Sequence, residues 1–206
     1  MTGSAPVRHA APDLGPALAA LRRGEVVAIP TDTVYGLAVD PERPGSTDAL
    51  FALKGRPRSL DLPVLVDGED QAGRVAAGGL PEPAQRLAAA FWPGGLTIVV
   101  RRSTELSWDI GPHADTIGLR LPDHAVARAL CREVGPLATS SANHHGEEPC
   151  TDASSLRAVF GDRIVVVDGG RCAGVPSTVV AVVDGETRCL REGAVPWADV
   201  QRVAGR

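Results

Sequence analysis

The sequence predicts an α/β fold with a mixed sheet, on three observations. Short β-branched runs alternate along the chain with Ala/Leu/Arg-rich segments of helical character. The composition, 44% apolar and 22% charged over 206 residues, is that of an ordinary globular protein able to bury roughly 70% of its unfolded surface. Toward the C-terminus, Thr178–Val183 and Arg188–Arg191 flank Asp184-Gly185 as hairpin partners, which argues against a purely parallel sheet.

In chain order, a helix over Pro16–Arg23 ends at Gly24, which suits a left-handed C-cap. Val26–Ile29 is then a buried strand that delivers Pro30-Thr-Asp-Thr at its C-terminal end, where ligands gather in such folds. Ser46 is expected to cap a helix through Leu53, with Lys54 and Arg56 opening the loop before the strand Pro63–Val66. Pro83–Phe91 reads as a helix, Leu96–Val100 and Thr116–Leu121 as strands, and His124–Val134 as an amphipathic helix. Leu137–Ser141 is a strand running into polar residues; Asp152–Phe160 is a helix and Ile164–Val167 a strand. With no Gly/Ser-rich linker and no internal repeat, one domain over residues 1–206 is expected, its core at about 15–203.

Composition also excludes. A formal net charge of -4 lacks the basic footprint of a dedicated nucleic-acid binder, so any phosphate site has to be local. Cys131, Cys150, Cys172 and Cys189 form no Cys-x-x-Cys pair and read as reduced, mostly buried thiols. Neither an apolar leader in Met1 to Pro16 nor a stretch of roughly 18 apolar residues is present, and a cytoplasmic location is expected. Walker A and Gly-x-Gly-x-x-Gly loops are both missing, which removes the two commonest nucleotide cradles.

Chemistry concentrates in two short motifs. Pro30-Thr-Asp-Thr-Val-Tyr-Gly36 holds the single tyrosine, Tyr35, and Leu53-Lys-Gly-Arg-Pro-Arg58 the single lysine, Lys54, among 20 arginines. A lone ammonium in such a chain suggests a compact point charge that a guanidinium cannot replace. Lys54, Arg56 and Arg58 form either a solvated turn or a phosphate clamp. Ala138-Thr-Ser-Ser-Ala-Asn143 is either a strand end with turn residues or a set of donors for phosphate and ribose oxygens. Arg120 interrupts an apolar strand and needs a carboxylate, from the protein or from a ligand. His144, His145, Glu147, Glu148 and Cys150 fit no usual metal spacing, and no metal site is expected. Ser140, Ser141 and Ser177 lack a nucleophile-elbow setting, and Trp92 and Trp108 read as packing residues.

Together, Pro30-Thr-Asp-Thr-Val-Tyr-Gly-Leu37, Lys54-Gly-Arg56, Phe91-Trp-Pro-Gly94 with Leu96-Thr97, Thr116-Ile-Gly-Leu-Arg-Leu-Pro122, Ser141-Ala-Asn143, Asp168-Gly-Gly170, Val175-Pro-Ser-Thr-Val179 and Leu190-Arg-x-Gly193 closely resemble the YrdC/TsaC family, the L-threonylcarbamoyladenylate synthases. The likeness covers about residues 15 to 203 with the motifs in family order. It implies a YrdC-like twisted open mixed sheet with flanking helices and a central positively charged cleft. The reaction implied joins L-threonine and bicarbonate, with ATP and Mg²⁺ carried by the nucleotide, into threonylcarbamoyl-AMP and pyrophosphate. That is the first step of t6A modification of tRNA, completed by a partner protein complex.

Carried over by position, Thr33, Arg120 and Ser177, with Thr139 nearby, match threonine-binding residues. Lys54, Arg56, Thr116, Ser141, Asn143 and Arg191 match nucleotide-binding residues, Lys54 and Arg56 acting on the reacting phosphates. Three positions depart from the family pattern: Leu62 stands for an Asn, Asp67 for a polar His, and Gly95 for the proline of the Trp-Pro-Gly-Pro run. The rival readings are a carbamoyl-transfer paralogue and an RNA-binding module with weak tRNA contact through the same cleft.

Overall fold

In the computed structural model, which describes residues 12–205, nine strands are present. They are β1 (Val27–Ile29), β2 (Gly36–Val39), β3 (Val64–Leu65), β4 (Leu96–Arg101), β5 (Thr116–Arg120), β6 (Leu137–Ser141), β7 (Val165–Val166), β8 (Thr178–Val183) and β9 (Glu186–Arg191). One mixed sheet joins them in the order β7-β1-β2-β6-β3-β5-β4-β8-β9. The β8–β9 pairing is the antiparallel hairpin expected from Asp184-Gly185, while β4–β8, β3–β5 and β1–β7 are parallel. The expected lack of an apolar leader in Met1 to Pro16 and the start of the 1–206 domain rest on residues 1–11, outside the described residues.

Seven helices flank the sheet: α1 (Gly15–Arg22), α2 (Ser46–Lys54), α3 (Glu69–Val75), α4 (Glu82–Phe91), α5 (Ala125–Val134), α6 (Ala153–Phe160) and α7 (Trp197–Ala204). Alternation along each strand sorts side chains onto two faces. Ala28, Leu37, Val39, Val64, Ile98, Leu119 and Val180 join the larger core under α2, α3, α4, α6 and α7. Val27, Ile29, Ala38, Leu65 and Leu137 join a smaller core under α1 and α5. That second core draws no strand residue from β4, β5 or β8. Helices therefore cover only half of the second face, and the other half is the floor of a cleft.

Helix ends follow local chemistry. Gly24, at φ +80°, closes α1 as expected, its N–H reaching the Leu21 carbonyl while that of Glu25 reaches Ala20. Ser46, by contrast, is not the cap of α2. Gly45 holds that position at φ +76°, and the Ser46 hydroxyl donates to the Asp40 carbonyl at 2.6 Å instead of accepting an amide. The same helix runs one residue further than expected, so Lys54 sits in its last turn and Gly55, at φ +64°, ends it. Cys131, Cys150 and Cys172 are buried and all four cysteines are unpaired. Trp92 and Trp108 are packed into the large core.

The three departures from the family pattern have distinct structural settings. Leu62 is fully buried, with its N–H on the Ile110 carbonyl at 2.7 Å. Asp67 pairs with Arg132 at 2.9 Å and faces Arg128 on α5. A Cβ at Gly95 would lie 2.7 Å from the Cβ of Ala194, so glycine here is matched to alanine there. Gly95→Ala is expected to destabilise by about 1–3 kcal/mol through overpacking. Adding Ala194→Gly should recover most of that loss in a double-mutant cycle followed by thermal unfolding.

Candidate active site

Register brings the polar residues onto the open face. Leu65 pairs with both Leu137 and Arg120, which places Arg120 on the same side as Thr139 and Ser141, two and four residues beyond Leu137. Thr97 and Val99 on β4, Thr116 and Gly118 on β5, and Val179 on β8 extend that floor, where they line a cavity of about 270 Å³. An adjoining cavity of about 270 Å³ is lined by Thr33, Arg56, Arg120, Thr139, Ser141, Asn143, Ser177 and Arg191. The two share Arg56, Pro63, Thr97, Ser177 and Arg191 and form one continuous cleft. Thus eight of the ten sequence-predicted residues line one cavity, Thr116 lines its neighbour, and Lys54 stands behind the wall.

Arg120 is 6% exposed, and burial works against its charge. Its carboxylate comes from the protein: Asp32 accepts from Nη2 at 2.6 Å, Thr33 Oγ1 from Nη1 at 2.8 Å, and the Gly94 carbonyl from Nε at 2.9 Å. A guanidinium has five N–H groups, so two remain beside the cavity. The Asp123 N–H fixes Asp32 Oδ1 at 3.0 Å, and Thr31 Oγ1 lies 3.0 Å from Thr33 Oγ1. Both side-chain partners of Arg120 are therefore themselves held.

Lys54 is 2% exposed, and among the described residues its ammonium meets only neutral oxygens. Nζ lies 2.6 Å from the Ser141 carbonyl, 2.8 Å from Asn143 Oδ1, and 3.2 Å from both Ser141 Oγ and the Asn143 carbonyl. Asn143 spends its own N–H₂ group on the carbonyls of His144 and Glu147. Lys54 thereby ties the end of α2 to the turn after β6. Burial first, and Arg56 second, bring its pKa from 10.5 down to about 8.

Arg56 donates through Nη2 to the Asp61 carbonyl at 2.8 Å, and its buried Nε has no partner. Arg191 clasps the Ser177 carbonyl through Nε and Nη2, at 3.2 and 2.7 Å, and lies 3.3 Å from Ser177 Oγ. Burial lowers the pKa of both arginines. Ser177 Oγ is also 2.9 Å from Thr97 Oγ1, and Thr139 Oγ1 donates to the Pro63 carbonyl at 3.2 Å. Arg58 turns away from the cleft: it pairs with Asp48 and Asp109 and stacks 4.4 Å over the Phe51 ring. Of the three clustered cations, only Arg56 faces the cavities.

A family model described as "Telomere recombination", the Sua5/YciO/YrdC domain, matches residues 19–193. The chain belongs to the Sua5/YciO/YrdC family. It is 40% identical to a Mycobacterium tuberculosis relative over 193 residues, 92% of this chain and 88% of that one. Against the threonylcarbamoyl-AMP synthase of Bacillus subtilis, identity is 36% over 198 residues, 94% of this chain and 57% of the relative. Sua5 of Pyrococcus abyssi, solved with L-threonine, superposes with a TM-score of 0.86 at 34% identity, over 92% of this chain and 56% of that one. Escherichia coli YciO, at 22% identity and a TM-score of 0.79, shares the fold.

Sequence reasoning assigned no role to several residues that organise this Sua5/YciO/YrdC site. Asp32 lies inside the Pro30–Gly36 motif, and its signal is Arg120's need for a carboxylate. Thr97, 2% exposed and lining both cavities, stands out in the sequence only as part of the family pattern. Tyr35 proves to be a staple: its hydroxyl donates to the Gly170 carbonyl at 2.8 Å and accepts from the Gly169 N–H at 3.2 Å. Burial pushes its pKa up to about 12.

Removing the Asp32 carboxylate leaves Arg120 charged, buried and unpaired. Asp32→Ala is expected to cost about 3 kcal/mol in urea unfolding. For Lys54, between pH about 8 and 10.5 the unfolded chain keeps a proton that the folded chain has lost. Stability therefore gains a contribution that rises with pH over that window, the reverse of a salt-bridged lysine. The rise should be missing in Lys54→Met when unfolding free energies of the two proteins are compared across the window.

Proposed function

We propose that this chain condenses L-threonine with bicarbonate and activates the product on ATP, giving threonylcarbamoyl-AMP and pyrophosphate. The observation that carries the reading is the placement of an Arg120/Thr33/Ser177 corner and an Arg56/Arg191 corner in one cleft, in a chain 36% identical to the B. subtilis threonylcarbamoyl-AMP synthase. The first corner offers two free guanidinium N–H groups and hydroxyls to an amino-acid carboxylate. The second offers cations that no side-chain carboxylate neutralises within hydrogen-bonding distance, as a polyphosphate requires.

No enzyme nucleophile enters the reaction. The threonine amine adds to the carbon of bicarbonate and water leaves, forming a carbamate. A carbamate oxygen then attacks the α-phosphorus in line, the bond from that phosphorus to the bridging oxygen breaks, and pyrophosphate departs. The protein contributes position and charge. Arg120 and Ser177 hold threonine, while Arg56, Arg191 and Thr116 hold the nucleotide, with Ser141 and Asn143 presented by Lys54. Mg²⁺ enters this scheme as part of the nucleotide substrate, bridging the phosphates that Arg56 and Arg191 face.

The mixed anhydride is labile to water, and a tRNA-modifying complex receives it for t6A synthesis in the cytoplasm. No helix among the described residues is long and apolar enough to cross a membrane. The chain acts in this scheme as one YrdC-like domain.

Pyrophosphate release by the purified protein with MgATP, bicarbonate and L-threonine tests the reading. Release should stop when threonine or bicarbonate is left out. Release supported by carbamoyl phosphate without threonine would assign the chain to carbamoyl transfer instead. Lys54→Ala and Arg56→Ala should each lose at least tenfold in kcat/KM, about 1.4 kcal/mol. Unchanged kinetics in either variant would remove that residue from the site.

A further inference from the structure

Thr97, 2% exposed, is a hydroxyl of the cleft floor to which neither the carried-over site residues nor the preceding mechanism gives a role. It sits on β4 between the two cavities, with Oγ1 2.9 Å from Ser177 Oγ. Backbone pairing fixes this approach: β4 and β8 run parallel with Leu96 opposite Thr178 and Thr97 opposite Val179, and the Thr178 N–H binds the Gly95 carbonyl at 2.9 Å. The Thr97 methyl lies over Gly118, where a Cβ would come to 3.4 Å, which holds its χ1.

A serine hydroxyl has one donor and two acceptor sites. Arg191 Nη2 can only donate, so it occupies an acceptor site of Ser177 Oγ at 3.3 Å. Thr97 occupies either the other acceptor site or the donor. In both arrangements a single hydrogen-bonding position of Ser177 is left for the cavity. Without Thr97 Oγ1, only the longer 3.3 Å contact from Arg191 bears on the Ser177 hydroxyl, which can then turn to another staggered well and spend that position elsewhere.

We propose that Thr97 is a positioning residue for threonine binding, which sets the rotamer and the free hydrogen-bonding position of Ser177. The assignment rests on the synthase reading above. It predicts an effect chiefly on the amino acid, because Thr97 touches the Ser177 hydroxyl while Arg191 is held mainly by the Ser177 carbonyl, at 2.7 and 3.2 Å.

The test compares wild type, Thr97→Val, Thr97→Ser, Ser177→Ala and the Thr97→Val/Ser177→Ala double variant, with thermal unfolding as a check of folding. Titration calorimetry with L-threonine and initial rates of pyrophosphate release are measured on each. Thr97→Val should weaken threonine binding at least fivefold and raise its KM, with the KM for ATP within twofold of wild type. Thr97→Ser should stay within twofold for both substrates, and the double variant should bind threonine no worse than Ser177→Ala. Equal losses for ATP and threonine, additive losses in the double variant, or a failure of Thr97→Ser to rescue would each overturn the assignment while leaving the synthase reading standing. Wild-type protein that neither binds threonine nor releases pyrophosphate in its presence would overturn the reading and the assignment together.

Discussion

Burying Arg120 on a central strand takes a guanidinium out of water, and the oxygens that replace the water come from separate segments of chain. Gly94 lies between α4 and β4, whereas Asp32 and Thr33 lie between β1 and β2. Both loops are thereby tied to β5. The Asp123 N–H adds the segment after β5 to the same node. Because a buried charge tolerates no loose partner, this one side chain aligns three connections at the rim of the cleft.

Lys54 solves the same problem differently. Arg120 is balanced by a carboxylate and stays charged, while Lys54 has only neutral oxygens and can shed its proton. Arg58, two residues beyond Arg56, is balanced by two carboxylates outside the cleft. The short basic run thus divides its labour: one cation braces the wall, one faces the cavities, and one stitches the outer loop. Loop 54–63 is further clipped to the segment before β5, through Leu62 on Ile110 and Asp61 on His113.

Most elements were legible because their periodicity was strong: the β-branched strands β1, β4, β5 and β8 and the apolar stripes of α1, α4 and α5. The strand β2 was hidden because Gly-Leu-Ala-Val carries two small residues beside a motif that reads as a loop. The helices α3 and α7 went unread, α3 because Glu-Asp-Gln-Ala-Gly-Arg-Val offers the core only Ala72 and Val75. At the site, residue types with a strong physical demand were visible, and Arg120 announced its need for an anion. Direction was not visible. No sequence pattern says that Arg58 points out, that Lys54 points behind the wall, or that Tyr35 staples Gly169 and Gly170, since those follow from tertiary packing.

The parallel pairing of β4 with β8 also bears on how the chain acquires its cleft. Leu96 meets Thr178 only after the whole intervening chain has been laid down, and contacts of that span repay their loop-closure entropy late. Local pairs such as β8–β9 and β1–β2 close much shorter loops and cost less. On the ribosome, Thr97 and Arg120 are therefore expected to emerge and wait, the half-built floor open to water, until Ser177 and Arg191 follow. The polar character of that floor, Thr97, Thr116, Arg120 and Thr139, makes the wait tolerable. A nascent sheet exposing that surface offers little apolar area for misassociation with other chains.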